Sequence, residues 1–363
     1  MNSKKHIQSR IDFLDLMRIF AFVSVLIGHK FYPTLAAWAQ DPSLHITIRY
    51  FIEGIMPLCR GGAAGVVVFF FISGYIITHV LQKESPTDFL IKRAFRIYPL
   101  YIFAILTEML FGWVAQGIAL PSLSIIIPRL FLIGDFFDTN YALAGVEWTL
   151  RVEVLFYLFM AALKKAGLLS KPALLPIVYV ACTALLSAAK PFPSFTAWST
   201  GYLNLYGPFL LIGSLIYLCE HKLISRQYGT AAVGFIFISF LLLIAKIQPN
   251  WSNSNYALFA IILFTAAWCL REKLTCGPAA RLLSELTYSV YLFHNWLWSY
   301  LNQLVERIGI TLLPQGIQIV LALLLICYVT HIAIEKPGAT LGRKVISKLR
   351  NKNGKDMPRS LAT

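Results

Sequence analysis

The sequence predicts an all-α, polytopic integral membrane protein of about ten transmembrane helices, with both termini in the cytoplasm. Three observations lead there. Of the 363 residues 58% are hydrophobic and only 13% charged, with a mean hydropathy of +0.67, whereas a soluble domain is nearer a quarter charged. The apolar residues gather in runs long enough to cross about 30 Å of hydrocarbon as helices. The basic residues fall mostly between alternate runs. Of 32 Lys and Arg, 23 lie on the side that the positive-inside rule assigns to the cytoplasm, seven lie on the other, and Arg18 and Arg151 fall within spans. A net charge of +15 would suggest nucleic acid in a soluble protein; here topology accounts for it, and no nucleic-acid partner is expected.

The spans are expected near 12–30, 63–82, 96–115, 146–164, 173–189, 202–219, 229–246, 255–270, 285–304 and 316–334. The first, FLDLMRIFAFVSVLIGHKFY, follows the basic MNSKKHIQSR without a small-residue cleavage pattern, so it reads as a retained span. Arg18 and His29 are eleven positions apart within it. Eleven steps of about 100° end about 20° past three full turns, so the two share one face, separated by about 16 Å along the axis. Such residues in a membrane helix face a bundle interior or a wet cavity. Asp15, Phe22 and Val25 lie on the same stripe. Residues 31–62 form a long external connector ending in a hinge-like Arg60–Gly62, and GGAAGVVVFFFISGYIIT supplies the second span.

The third span opens with FLIKRAFRIYPLY, where Arg93 and Arg96 are neighbours at i and i+3. Paired arginines present forked donors that match phosphate oxygens, though a cluster of this kind also serves topology alone. Residues 116–145 include LPSLSIIIPRLFLIG, an apolar stretch too short between its prolines to span, hence re-entrant or interfacial. The fourth span, GVEWTLRVEVLFYLF, places Thr149, Glu153, Phe156 and Tyr157 on one stripe. Glu147 is spaced to pair with Arg151, whereas Arg151 and Glu153 face different ways. Glu153 then sits about 10 Å below the external surface with no partner on its own helix, and needs one from another helix or from water. The ninth span, LTYSVYLFHNWLW, clusters Tyr288, Tyr291, His294 and Asn295, and the tenth ends at His331 and Glu335. Residues 1–340 are read as one membrane domain, and 341–363 as a basic, frayed cytoplasmic tail near anionic headgroups. The six cysteines lack metal-ligand spacing, so no metal site is expected. External aromatics (Tyr50, Trp148, Trp198, Tyr202 and Trp251) read as an interfacial belt or as platforms for sugar rings.

These segments resemble the acyltransferase-3 family, the bacterial membrane O-acyltransferases that modify polysaccharides and other glycans. LDLMRIFAFVSVLIGH resembles the family's first helix, with its basic residue and histidine on Arg18 and His29. RAFRIYPLY matches the R-x-x-R element at Arg93 and Arg96. EWTLRVEVLFY matches W-[ST]-L-x-x-E-x-x-F-Y at Trp148, Thr149 and Glu153. GGAAGVVVFFFISGYIIT, LTYSVYLFHNW and IEKP resemble the second helix, the S-Y-x-x-Y-L-x-H segment and the usual ending. Val67 stands where many members carry Asp, so a role for that carboxylate does not carry over. The chain is read as the membrane unit without the esterase-like domain some members add. The resemblance implies acetyl-CoA or another acyl-CoA as cytosolic donor substrate, with no permanently bound cofactor. It also implies a glycan or lipid-linked saccharide as acceptor, and a place among the lipids of the bacterial cytoplasmic membrane.

Combined with helix geometry, this yields a set of expected site residues. Arg93, Arg96 and Arg18 bind the donor; His29 is the general base and Glu153 its catalytic companion; Thr149, Tyr157 and His294 contact substrate. Ser73, Thr149 and Tyr157 are candidates to stabilise the oxyanion. His294 is the rival base, and a covalent acyl-histidine is the alternative route. A transporter or flippase for a lipid-linked glycan or small acyl metabolite would also suit ten spans with buried charges, but it predicts repeats and discontinuous helices that the sequence does not display. A nonenzymatic scaffold in a polysaccharide synthesis complex is the third reading.

Overall fold

The computed structural model describes residues 11–139, 141–194 and 200–355. The basic run before Ile11, Trp198 and the last residues of the tail lie outside them. All regular structure among the described residues is helical.

Helix α1 (Asp12–Lys30) carries Asp12 and Asp15 in its first turn and Lys30, beside His29, in its last, so that charges of the right sign complement the helix dipole at both ends. It bends by 76° into α2 (Tyr32–Gln40). The segment 31–62, expected as a connector, is largely helical: α3 (Ile46–Cys59) runs through Arg60–Gly62 into α4 (Ala63–Lys83). Gly61 and Gly62 make that joint possible, with φ of +55° and +69°, angles that a side chain resists. Helix α5 (Pro86–Gln116) starts ten residues earlier than expected. The Ser85 side chain caps it by accepting from the Asp88 amide (3.2 Å), and Pro86 occupies its first position. Arg93 and Arg96 therefore project from inside a long helix rather than from its start.

The stretch between prolines forms the short α6 (Leu123–Leu130). Then follow α7 (Trp148–Lys165), α8 (Leu175–Ala188), α9 (Tyr202–Glu220), α10 (Arg226–Ile247), the single turn α11 (Pro249–Ser252) and α12 (Tyr256–Cys269). The expected ninth span is two helices, α13 (Pro278–Phe293) and α14 (Leu297–Ile308), broken at His294–Trp296. Helix α15 (Gln315–Thr330) passes through a π turn at His331–Glu335 into α16 (Lys336–Lys355). The first part of the expected tail is thus helical and docked on α5: Gly338 and Gly342 lie against Phe95 and Pro99, and Arg350 pairs with Asp88.

Five helical stretches are long and apolar enough to cross a membrane: Ile46–Lys83, Pro86–Gln116, Tyr202–Glu220, Arg226–Ile247 and Gln315–Asn351. The bent α1–α2 pair makes a sixth if read as one span. At the centre, α4 packs between α1 and α9. Gly74 meets the Leu210 carbonyl and Gly213 the Phe71 carbonyl so closely that a Cβ at either would strike backbone. Small residues at a helix interface allow this approach where lipid supplies no hydrophobic drive.

Candidate functional site

Helices α1, α4, α5, α7 and α13 enclose a cavity of about 940 Å3, its open mouth included. One end is cationic. Arg18 of α1 and Arg93 and Arg96 of α5 all line it. Arg18 Nη1 lies 2.8 Å from Asp15 Oδ1, and the Ser284 hydroxyl donates to the same oxygen (2.6 Å), so the buried Asp15 carboxylate is held from two sides. Arg93 lies over the rings of Phe89 and Tyr157, 5.4 and 5.7 Å from their centres, a stacking that suits a planar guanidinium.

The wall is built by α7. Glu153 Oε1 accepts from the hydroxyls of Ser73 and Tyr157, each at 2.6 Å. Tyr157 is four residues on, so Glu153 does have a partner on its own helix, contrary to expectation. A hydroxyl at i+4 reaches back as well as an ion would. The other partner comes from α4. Glu153 makes no ion pair with Arg18 within 4.0 Å among the described residues.

The far end is closed by a layer of side chains. Thr149 Oγ1 donates to the Tyr291 hydroxyl (2.8 Å), which donates to the Val146 carbonyl (3.1 Å), and the Phe69 ring meets Tyr291 edge-on. One layer beyond lies a histidine pair. His294 Nδ1 is 2.8 Å from the Tyr291 carbonyl, and His294 Nε2 is 2.9 Å from His29 Nδ1. A carbonyl oxygen only accepts, so His294 Nδ1 carries a proton. In the neutral pair His294 Nε2 accepts from His29 Nδ1–H, and His29 Nε2 keeps its lone pair. The rings are near-parallel, 19° apart. His294 is buried, whereas His29 is exposed. Beside them Lys30 Nζ donates to the Asn295 side-chain oxygen (2.8 Å) and backbone carbonyl (3.2 Å).

Of the expected residues, Arg18, Arg93, Arg96, Thr149, Glu153 and Tyr157 line one cavity. His29 and His294, set against each other as rival bases, are bonded to each other instead, beyond the Thr149–Tyr291 layer. Sequence reasoning missed the Lys30–Asn295 link and the contribution of Ser284 and Thr287. The polar stripe Ser284, Thr287, Tyr288 and Tyr291, at helical spacing on α13, was the available signal for the latter.

A second polar cluster braces the start of α7. Arg151 Nη1 lies 2.6 Å from Asp135 Oδ1 and Nη2 3.4 Å from Glu147 Oε1, the pairing its i+4 spacing suggests. Its guanidinium also stacks on Tyr141, and Glu147 Oε1 accepts from the Ala142 amide. All three charged residues are buried.

A bundle of apolar helices around a cavity with cations at one end and a histidine pair beyond the other suits group transfer within a membrane. The chain belongs to the acyltransferase-3 family: residues 11–332 match the model of its acyltransferase domain. It is therefore a membrane acyltransferase that transfers groups other than aminoacyl groups. It is 27% identical to the exopolysaccharide production protein ExoZ of Rhizobium meliloti (strain 1021) over 311 residues, covering 78% of this chain and 91% of that protein. Against nodulation protein 10 of Rhizobium leguminosarum bv. viciae it is 24% identical over 356 residues, 85% and 91% of the two chains. Against the O-acetyl transferase of Shigella phage Sf6 it is 33% identical over 157 residues, 40% and 43% of the two. No solved structure matches the chain.

Proposed function

We propose that this acyltransferase moves an acyl group, acetyl in the simplest case, from cytosolic acyl-CoA to a sugar hydroxyl of a surface glycan or its lipid-linked precursor, with His29 as general base. It would do so in the bacterial cytoplasmic membrane, as ten spans with both termini inside. The observation that carries this reading is the single cavity that joins three arginines to the layer beneath the His29–His294 pair. The names of two relatives, an exopolysaccharide production protein and an O-acetyl transferase, support the glycan and the acetyl group.

In this scheme Arg93 and Arg96 grip the phosphates of CoA at the cytoplasmic mouth. The pantetheine arm runs past Arg18 and Glu153, and the thioester reaches the histidine pair once the Thr149–Tyr291 layer yields. His29 Nε2 takes the proton of the acceptor hydroxyl as its oxygen bonds to the thioester carbonyl carbon. The C–S bond then breaks, and the CoA thiolate leaves and recovers that proton from His29. His294 holds the His29 ring in the required tautomer. Glu153 fixes Ser73 and Tyr157 along the donor path.

Surface glycans from cells with and without the gene should differ by an alkali-labile acyl group on mass analysis. Identical glycans from the two strains would remove the acceptor assignment. Arg93→Ala with Arg96→Ala should weaken acetyl-CoA binding to the purified, folded protein at least about tenfold, equivalent to about 1.4 kcal/mol. Unchanged affinity in that double variant would leave the arginines as topology determinants only.

A further inference from the structure

We infer that a second cavity, on the far side of the histidine pair from the first, is the acceptor subsite and holds a sugar ring of the glycan. The inference rests on the acyl-transfer reading above, and extends it to residues outside the donor cavity.

This cavity, about 930 Å3 with its mouth, lies among the C-terminal part of α5, the turn before α7 and the break between α13 and α14. Its position relative to the chemistry is fixed by chain neighbours. Asn295 and Trp296, which line it, directly follow His294. The Asn295 side chain accepts from Lys30, the residue after His29, and donates to the Ala144 carbonyl (2.9 Å). Tyr291, three residues before His294, lines the donor cavity instead. Neither histidine lines either cavity, but Tyr291 on one side of His294 in the chain lines the first and Asn295 and Trp296 on the other side line the second; we place the pair between them, where a base could take a proton from one substrate and admit an acyl group from the other.

The lining has the chemistry of a saccharide site. Tyr141, Trp296 and Tyr300 offer aromatic surface to the C–H face of a pyranose. Trp296 and Tyr300 are set by ring contacts with Phe111 at 6.0 and 5.2 Å, and with each other at 6.2 Å. Glu108, Gln116, Asn295 and Ser299 supply polar groups for ring hydroxyls. Glu108 Oε2 accepts from the Leu143 amide (2.8 Å), and the Ala144 amide also hydrogen-bonds this carboxylate, which fixes it at the cavity wall. Leu143 and Ala144 both sit at positive φ (52° and 51°), and Glu108 and Asn295 are the side chains that hold them there. Strain of this kind persists only where surrounding contacts over-determine it. A lipid tail would need none of these polar groups. Aromatic surface with convergent polar groups, here Glu108, Gln116, Arg129 and Asn295, is a form that suits a small polar ligand.

The test uses cells whose own gene is replaced by variants of the full chain, with acyl groups on the host's surface polysaccharide measured after mild alkaline release. Tyr300→Ala removes one aromatic wall. Ser299→Trp fills the cavity from an exposed helix position without removing any packing. Both should lower glycan acylation tenfold or more at equal membrane abundance, with acetyl-CoA affinity of the purified protein within twofold of wild type. Normal acylation in both variants would overturn the subsite. So would a parallel loss of acetyl-CoA affinity, which would place the cavity in the donor path, or an effect of Ser299→Trp alone, which would point to an apolar chain. If wild type and deletion strains carry the same glycan, the acyl-transfer reading itself fails, and that outcome is recognisable before any variant is compared.

Discussion

His29→Ala should cut acyl transfer by orders of magnitude while leaving membrane insertion and acetyl-CoA affinity intact. A positioned general base contributes about 10²–10⁴-fold, so turnover should fall by that factor, about 3–5 kcal/mol of transition-state stabilisation. The loss belongs in kcat because the proton is moved only in the transition state. His294→Ala makes the instructive comparison. His294 is buried with both ring nitrogens engaged, by the Tyr291 carbonyl and by His29. It has no nitrogen to offer a substrate in the neutral pair, and its removal should free the His29 ring to rotate and change tautomer. A smaller loss than for His29→Ala is expected. A folded His29→Ala enzyme turning over near the wild-type rate, beside an inactive His294→Ala enzyme, would move the chemistry to His294.

The largest effect on stability is expected at Arg151. Its guanidinium is the cation between two buried carboxylates, Asp135 at 2.6 Å and Glu147 at 3.4 Å. Arg151→Met would strand both. Removing one partner of a buried pair costs about 3–5 kcal/mol, because the remaining charge is left desolvated. Asp135→Asn, Glu147→Gln and Arg151→Met together should be milder, since neutral groups replace the whole cluster. Thermal unfolding in detergent reads both. A midpoint for Arg151→Met within a degree of wild type would show that the cluster carries little of the fold's stability.

Much of this architecture is legible in the sequence because the bilayer leaves few choices. Backbone polar groups must be satisfied within each segment, so a long apolar run becomes a helix, and each segment expected to span lies largely on helix, the ninth with a break at His294–Trp296. Helical spacing also put Asp15 and Arg18 on one stripe, where they pair, and forecast the Glu147–Arg151 pair and the shared face of Thr149, Glu153 and Tyr157. What spacing cannot supply is the relation between helices far apart in the chain. His29 and His294 are 265 residues apart, as are Lys30 and Asn295. No periodicity links them, and each histidine read alone is a candidate base. The break at His294–Trp296 was also hidden, because the run LTYSVYLFHNWLWSYL has no Pro or Gly to mark an interruption. The helices of 31–62 were obscured by Pro33 and Pro57, which suggest irregular chain but are accommodated near the start of α2 and inside α3.

The Thr149–Tyr291 layer has a bearing on cell energetics. A protein that links cytosol to outer face through an open aqueous channel would conduct protons and discharge the potential across its membrane. Here the cavity ends at hydrogen-bonded hydroxyls and an aromatic edge, short of the histidines. In the proposed scheme the acyl group alone passes that barrier, carried by a narrow thioester arm that fills the space it moves through. The driving force is then stored in the thioester bond and owes nothing to an ion gradient. On that scheme, decoration of the cell exterior would proceed without drawing on the proton-motive force that the same membrane must hold for every other task.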